Sequence, residues 1–385
     1  FIKSTSCQDG MLKTRGGACY KALIVPAVKL IPVSTLKKLV ALARQGATVV
    51  FVEHYPEDVP GYASLKQNRE QLFALLEQLP GEKSFRGTQA FNFGKGRIIV
   101  GSDYHETLER TGVPAEELKT RWGVQFIRRT HTEGHHYFIS DLQANDVEGW
   151  VTLNVPEKHI MCFDPMTGKR GIAKTREVEG KTQVYMQLKS GESIILQTFT
   201  RSLQGEPEWK YRKEMDYSLS LDHGWKLRFV ESYPAIEGEF KIDTPSSWTE
   251  IAHPAAKINR GTALYSLELD LPELSADDWV LDLGDVRESA RVRINGQEAG
   301  IAWAAPFRLS IGQLLKSGKN LIEVEVTNLP ANSIAEMDRQ GKQWRIFEDI
   351  NMAKLNYEKG TYGHWETLPS GLNGIVRLIP VKYLF

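Results

Sequence analysis

Hydrophobic residues in the first hundred positions are grouped as a βα alternation requires. Ala22-Leu23-Ile24-Val25 is a short apolar run closed by Pro26, the pattern of a buried parallel strand. Ser34 is placed to cap a helix whose apolar positions, Leu36, Leu39, Val40, Leu42 and Ala43, follow helical spacing up to Gly46. Thr48-Val49-Val50-Phe51-Val52 supplies the next strand. The stripe Leu72, Leu75, Leu76 and Leu79 predicts a second helix over 65–79, stopped by Pro80-Gly81. Gly96-Arg97-Ile98-Ile99-Val100-Gly101 reads as a third strand. This is a partial α/β domain over residues 1–115. A doubly wound sheet normally has more strands, so the remainder is expected upstream of Phe1.

From Val124 the apolar period shortens to two. Val124–Ile127, His136–Ile139, Gly149–Leu153, Thr182–Leu188 and Ser193–Leu196 read as strands, separated by turns such as Asp164-Pro165-Met166-Thr167-Gly168. They predict a small β-sandwich over 120–203, with the polar run Gln204–Glu208 as a linker. Residues 210–385 continue in β structure. Trp225–Phe229, Tyr265–Leu269, Val280–Leu283, Arg291–Ile294, Leu321–Val326 and Ile375–Ile379 are strand candidates, and Asn295-Gly296 is a strong hairpin signal. Residues 331–368 break the pattern: polar and aromatic without clear periodicity, they predict a long irregular loop, the kind of segment that carries contacts.

Composition narrows the partners. Lys+Arg and Asp+Glu are 48 each, so nothing draws the whole molecule to a polyanion, and no nucleic acid partner is expected. The sequence lacks an apolar run of about 18 residues, so no membrane span is expected. Phe1–Ser6 carries no basic-then-apolar leader pattern. Cys7, Cys19 and Cys162 are too scattered for a disulfide framework or a zinc site; a Cys7–Cys19 bridge is open, free thiols being the simpler reading. Nine tryptophans and thirteen tyrosines suit both sandwich cores and sugar-binding faces.

One stretch resembles a known module. Leu281–Val286, Ala290–Gly300 and Trp303-Ala304-Ala305-Pro306-Phe307, with Gly261–Tyr265 upstream and Pro369–Gly374 near the end, resemble the galactose-binding-like jelly roll of β-galactosidases and β-glucuronidases, the glycoside hydrolase family 2 type. Together with Tyr20–Val52, Phe163–Lys169 and the Leu368-Pro369-Ser370-Gly371-Leu372 ending, the chain is similar to the C-terminal part of α-L-rhamnosidases of glycoside hydrolase family 106. The fold class expected is therefore multidomain and mainly β: a partial, amidotransferase-like α/β domain, a small β-sandwich and a galactose-binding-like jelly roll. In such enzymes the resemblance places the chemistry, inverting hydrolysis of terminal α-L-rhamnosides by two carboxylates, in a (β/α) barrel ahead of these modules. A barrel needs about eight β/α units and the pattern here offers about three, so no catalytic residue is carried over.

Candidate sites follow from residue chemistry. Trp344-Arg345 and His364-Trp365-Glu366 in the irregular segment combine rings for a sugar's C–H face with hydrogen-bonding partners for its hydroxyls. Trp248 and Trp303 are better explained as core residues. Asp338, Glu348 and Asp349 offer oxygens for a structural Ca²⁺, although their spacing matches no defined loop, and no other cofactor is implied. His131, His135 and His136 could converge on a metal across a hairpin, against the simpler reading of a solvated hairpin tip. Cys19 precedes a strand with no helix after it, unlike an amidotransferase nucleophile. The expected role is a non-catalytic portion of a glycoside hydrolase, its partner the upstream catalytic domain of the same polypeptide, with carbohydrate contact open. Alternatives are a free-standing carbohydrate-binding module and a structural spacer. The resemblance also implies export to the periplasm or cell surface.

Overall fold

The computed structural model describes residues 1–81, 87–113, 115–271, 275–346 and 360–385. The fold is multidomain and mainly β, and the chain divides into two compact units, Phe1–Glu117 and Leu118–Phe385.

The first unit opens with a three-stranded antiparallel meander, β1 (Thr5–Gln8), β2 (Met11–Thr14) and β3 (Cys19–Tyr20), too short for its pattern to stand out in the sequence. Then come β4 (Ala22–Val25), α1 (Val33–Gln45), β5 (Thr48–Val52), α2 (Leu65–Leu76), β6 (Gln89–Phe93), β7 (Gly96–Gly101) and α3 (Tyr104–Arg110). The sheet order is β4-β5-β7-β6; β4, β5 and β7 are parallel, whereas β6, largely exposed and absent from the hydrophobic pattern, returns antiparallel on β7. Leu36, Leu39 and Val40 of α1 meet Val49, Phe51 and Ile98 of the sheet, all buried. Ser34 is not the cap of α1. The cap lies two residues earlier, at Pro32, whose preset φ of −62° leads in and whose carbonyl accepts the amides of Thr35 and Leu36. Gly46 ends α1 with φ +128°, as its position implies. Gly96 is required by close approach, since a Cβ there would stand 2.3 Å from the Ala47 carbonyl oxygen. α2 is shorter than its leucine stripe suggests: the chain turns after Leu76, yet Leu79 still reaches the core.

The second unit holds two cores. After α4 (Glu117–Trp122), the small sandwich is built from β8 (Gln125–His131), β9 (Gly134–Ser140), β10 (Val147–Leu153), β11 (His159–Phe163), β12 (Arg170–Ile172), β13 (Thr175–Val178), β14 (Lys181–Leu188) and β15 (Ser193–Phe199). Its sheets are β12-β11-β15-β9-β8 and β10-β14-β13. β14 alternates fully buried with less buried residues, so its inward set, Thr182, Val184, Met186 and Leu188, fixes the register. The Asp164 carboxylate shapes the turn between β11 and β12, accepting the Met166 amide at 2.8 Å and the Thr167 hydroxyl at 2.6 Å. Residues 204–208 are not a free linker. The Ile172 amide donates to the Pro207 carbonyl at 2.7 Å and the Trp209 amide donates back to Ile172, so the segment is tied to the sandwich by main-chain bonds that composition does not reveal.

Among the described residues the jelly roll comprises β16 (Tyr211–Glu214), β17 (Leu219–Ser220), β18 (Trp225–Tyr233), β19 (Glu239–Ile242), β20 (Arg260–Leu271), β21 (Asp278–Asp282), β22 (Val286–Arg287), β23 (Ser289–Ile294), β24 (Gln297–Ala302), β25 (Arg308–Ser310), β26 (Gly318–Thr327), β27 (Gly371–Leu372) and β28 (Arg377–Leu384), with an α-helix, α5 (Ala331–Arg339). Sheets β19-β18-β20-β26-β23-β24 and β16-β28-β21-β25 face each other across Trp225, Tyr265, Leu281, Ile294 and Val324. Asn295 and Gly296, at φ +53° and +78°, make the expected hairpin turn between β23 and β24. The Asn295 side chain adds to it, donating to the Leu314 carbonyl and accepting the Leu321 amide.

Candidate functional site

The segment over 331–368 is not wholly irregular, because α5 occupies its first turns. Its helical face was hidden by polarity. Two of its buried residues are Asn332 and Ser333, whose side chains are satisfied by partners distant in sequence. Asn332 donates to the Leu368 carbonyl and accepts the Leu368 amide, both at 2.8 Å; Ser333 accepts from the Arg260 guanidinium. These bonds dock α5 and bring the chain at 360–368 back alongside it.

At the C-terminal turn of α5, Asp338 gathers the chain into a cluster. Its Oδ1 accepts the Trp344 indole N–H at 3.2 Å, and its Oδ2 accepts the amides of Tyr362 at 2.6 Å and Gly363 at 3.0 Å. The Tyr362 amide and the Trp344 indole hold the Asp338 carboxyl below the usual aspartate range. Three rings follow. Trp344 and Tyr362 have centroids 5.7 Å apart, and Tyr362 and Trp365 are 4.6 Å apart, each pair tilted by about 50°. The Arg345 guanidinium carbon lies 5.1 Å from the Trp344 ring and 5.0 Å from that of Tyr362, and the group donates to the Gly360 carbonyl. Trp365 is 40% exposed, with exposed His364 and Glu366 beside it.

The structure thus joins Trp344, Arg345 and Trp365 of the expected sugar-contact set into one surface and leaves His364 and Glu366 flanking it. Sequence reasoning missed Tyr362, the ring between the two tryptophans; its signal was the three-residue step to Trp365, which a Tyr362 carbonyl to Trp365 amide bond turns into a compact loop. Asp338 does not have the surroundings of a Ca²⁺ ligand: its oxygens face three N–H groups, whose positive ends would repel a cation. Glu348 and Asp349 lie outside the described residues. Trp248 is fully buried in the jelly-roll core, as expected. Trp303 is not, being 61% exposed. Ala302 ahead of it fills the inward position at the end of edge strand β24, so the next side chain turns outward.

The histidines are engaged by the chain and do not form a solvated tip. His131 accepts the Glu133 amide on Nδ1 and its Nε2 lies 3.1 Å from the Thr198 carbonyl, so both nitrogens are engaged. His135 Nδ1 lies 3.3 Å from the buried Glu157 carboxylate. Burial, with His131 against it at 4.5 Å between ring centroids, lowers the His136 pKa. Among the described residues no group of three or more His, Cys, Asp or Glu converges as a metal site would require. The three cysteines are free thiols, Cys19 exposed in β3 and away from any strand-to-helix turn.

The chain thus combines an α/β sheet, two β-sandwiches and a ring-bearing loop on the second. Residues 1–175 match the model of glycoside hydrolase family 106, α-L-rhamnosidase. The structure resembles that of a rhamnosidase from Novosphingobium sp. PP1Y, with a TM-score of 0.72 and 24% identity, over 98% of this chain and 35% of that one. A putative β-glucuronidase of Formosa agariphila is 29% identical over 197 residues, 46% of this chain and 17% of that protein. The chain therefore spans about a third or less of the relatives it matches. It is thus similar to the α-L-rhamnosidases over residues 1–175 and in fold, and to a putative β-glucuronidase over 46% of its length.

Proposed function

We propose that this chain is a non-catalytic, C-terminal accessory portion of an α-L-rhamnosidase-like glycoside hydrolase, bracing a catalytic barrel that belongs to the rest of the polypeptide. One observation carries this reading: nearly the whole chain aligns, yet it accounts for only 35% of the solved rhamnosidase. The sheet of the first unit agrees with it, since its parallel strands among the described residues are β4, β5 and β7, far from the eight of a (β/α) barrel. Export to the periplasm or cell surface accompanies this reading through the resemblance. The test is hydrolysis of an aryl α-L-rhamnoside by the 385-residue chain alone. No turnover above the uncatalysed rate is expected, and robust turnover abolished by a single carboxylate substitution would overturn the assignment.

A second reading is favoured by the ring cluster. Trp344, Tyr362 and Trp365, with Arg345 between two of them, offer aromatic faces and a hydrogen-bonding cation to a sugar, so the same chain would also hold glycan near the active centre. This asks nothing of the chain's own catalytic power.

A further inference from the structure

We infer that Asp338 is the positioning residue of this ring surface, its carboxylate setting the placement of Trp344, Tyr362 and Trp365 toward a bound sugar. The inference deepens the glycan-contact reading and rests on it for the sugar, though not for the geometry.

The rings come from two stretches separated in sequence, and the rings themselves supply only tilted contacts, 5.7 and 4.6 Å between centroids. Such contacts contribute about 1 kcal/mol each and tolerate many orientations. Direction must come from polar bonds, and Asp338 makes them to both stretches at once. One oxygen holds the Trp344 indole; the other holds consecutive amides, Tyr362 and Gly363, so the loop there cannot rotate without breaking a charge-assisted bond. Trp365 is placed one step further, by the bond from its amide to the Tyr362 carbonyl. Arg339, next in α5, supports the same loop by donating to the Gly363 carbonyl at 3.1 Å. The helix is itself docked through Asn332, so Asp338 is the point at which a fixed element dictates the ring geometry. The Asp338 carboxylate needs no ligand or ion of its own, because its hydrogen bonds already come from the chain.

The experiment compares the full chain with Asp338→Asn, Trp344→Phe and Trp365→Ala. Asparagine keeps the size but exchanges one acceptor oxygen for a donor, so at least one of the amide or indole bonds fails. Three quantities are read: near-UV circular dichroism, the wild-type minus Trp344→Phe emission difference, and titration with methyl α-L-rhamnoside and a rhamnose-capped disaccharide. Asp338→Asn should change the near-UV signal and the Trp344 emission, lower sugar affinity about tenfold, about 1.4 kcal/mol, and leave the far-UV spectrum unaltered. The wild type should undergo the same spectral change on acidification, as pH falls through the depressed carboxyl pKa and below the ordinary aspartate range, and Asp338→Asn should not. Trp344→Phe leaves the amide bonds in place, so the Tyr362–Trp365 part of the near-UV signal should survive it. Unchanged near-UV and emission spectra in Asp338→Asn would overturn the inference. Loss of affinity in Trp365→Ala with none in Asp338→Asn would keep the glycan reading and also overturn the inference. Absence of sugar binding by the wild type would remove the glycan reading, and the spectra would still decide the role of Asp338. If Asp338→Asn loses far-UV signal, the wild-type acid titration decides it: no spectral change on acidification overturns the inference.

Discussion

Gly371, in the Leu-Pro-Ser-Gly-Leu ending, shows how a single missing side chain fixes a neighbourhood. Its φ is +96°, and a Cβ built there would lie 2.2 Å from the Tyr265 hydroxyl and 2.8 Å from the Trp248 ring, both fully buried. The Tyr265 hydroxyl accepts the Leu372 amide at 3.1 Å, so it cannot move aside freely. Gly371→Ala therefore combines backbone strain with overpacking and should cost about 2–4 kcal/mol, read as a lower urea midpoint at unchanged slope. Gly296→Ala is the matched control. It shares a positive φ of +78° but has nothing within 4 Å of the added atom, so about 1 kcal/mol is expected. Equal costs at the two sites would show that the close approach at Tyr265 is not what matters. Both glycines stand out in the sequence, Gly296 through its Asn-Gly turn; only packing separates the cheap position from the costly one.

At the level of elements, strands with clean alternation and helices with an apolar stripe were legible, because one buried face imposes a period on the residues. α5 was not. Its buried face includes Asn332 and Ser333, and a polar residue is tolerated inside only when it finds partners, which lie here at Leu368 and Arg260. Replacing the buried Asn332 by Ala would remove both of its bonds to the Leu368 backbone, at a cost of about 1–3 kcal/mol. Limited proteolysis should then open the chain between α5 and Leu368 faster than in the wild type; an unchanged cleavage rate would mean that α5 is docked by other contacts. The ring cluster follows the same logic. Trp344, Arg345 and Trp365 could be nominated by residue type, whereas Tyr362 and Asp338 acquire their places only once the helix and the returning chain are side by side.

Within the second unit, a set of charges joins the small sandwich to the jelly roll. Glu214 accepts from Arg308 at 2.9 Å and pairs with Lys189 at 3.1 Å, while Lys189 also holds Asp146 at 2.8 Å. Burial alone would raise the Glu214 pKa, but Arg308 and Lys189 outweigh it and hold the carboxyl below the usual glutamate range. A depressed pKa contributes stability that is complete above the unfolded value and lost as pH falls through the folded one. The stability difference between wild type and Glu214→Gln should therefore be present at neutral pH and close as the solution is taken below the ordinary glutamate range. Urea midpoints across that range measure it, and a gap that stays constant would exclude Glu214. The size is modest, since the Glu214 side chain is 36% exposed and water screens it. Glu192 works in the opposite sense: burial raises its pKa, so protonating it favours the folded chain.

The sequence by itself determined the kinds of layer this protein has and the hairpin at Asn295-Gly296, which rest on local periods and short turn signals, and it carried the resemblance to rhamnosidases in particular stretches of residues. Tertiary structure decided which tryptophans are core and which face outward, that the Asp338 carboxylate accepts from Trp344, Tyr362 and Gly363, and that residues 204–208 are tied into a sandwich. Each of those depends on partners far apart in the chain, and a hydrogen bond or a packed ring belongs to a pair of residues that only folding brings together.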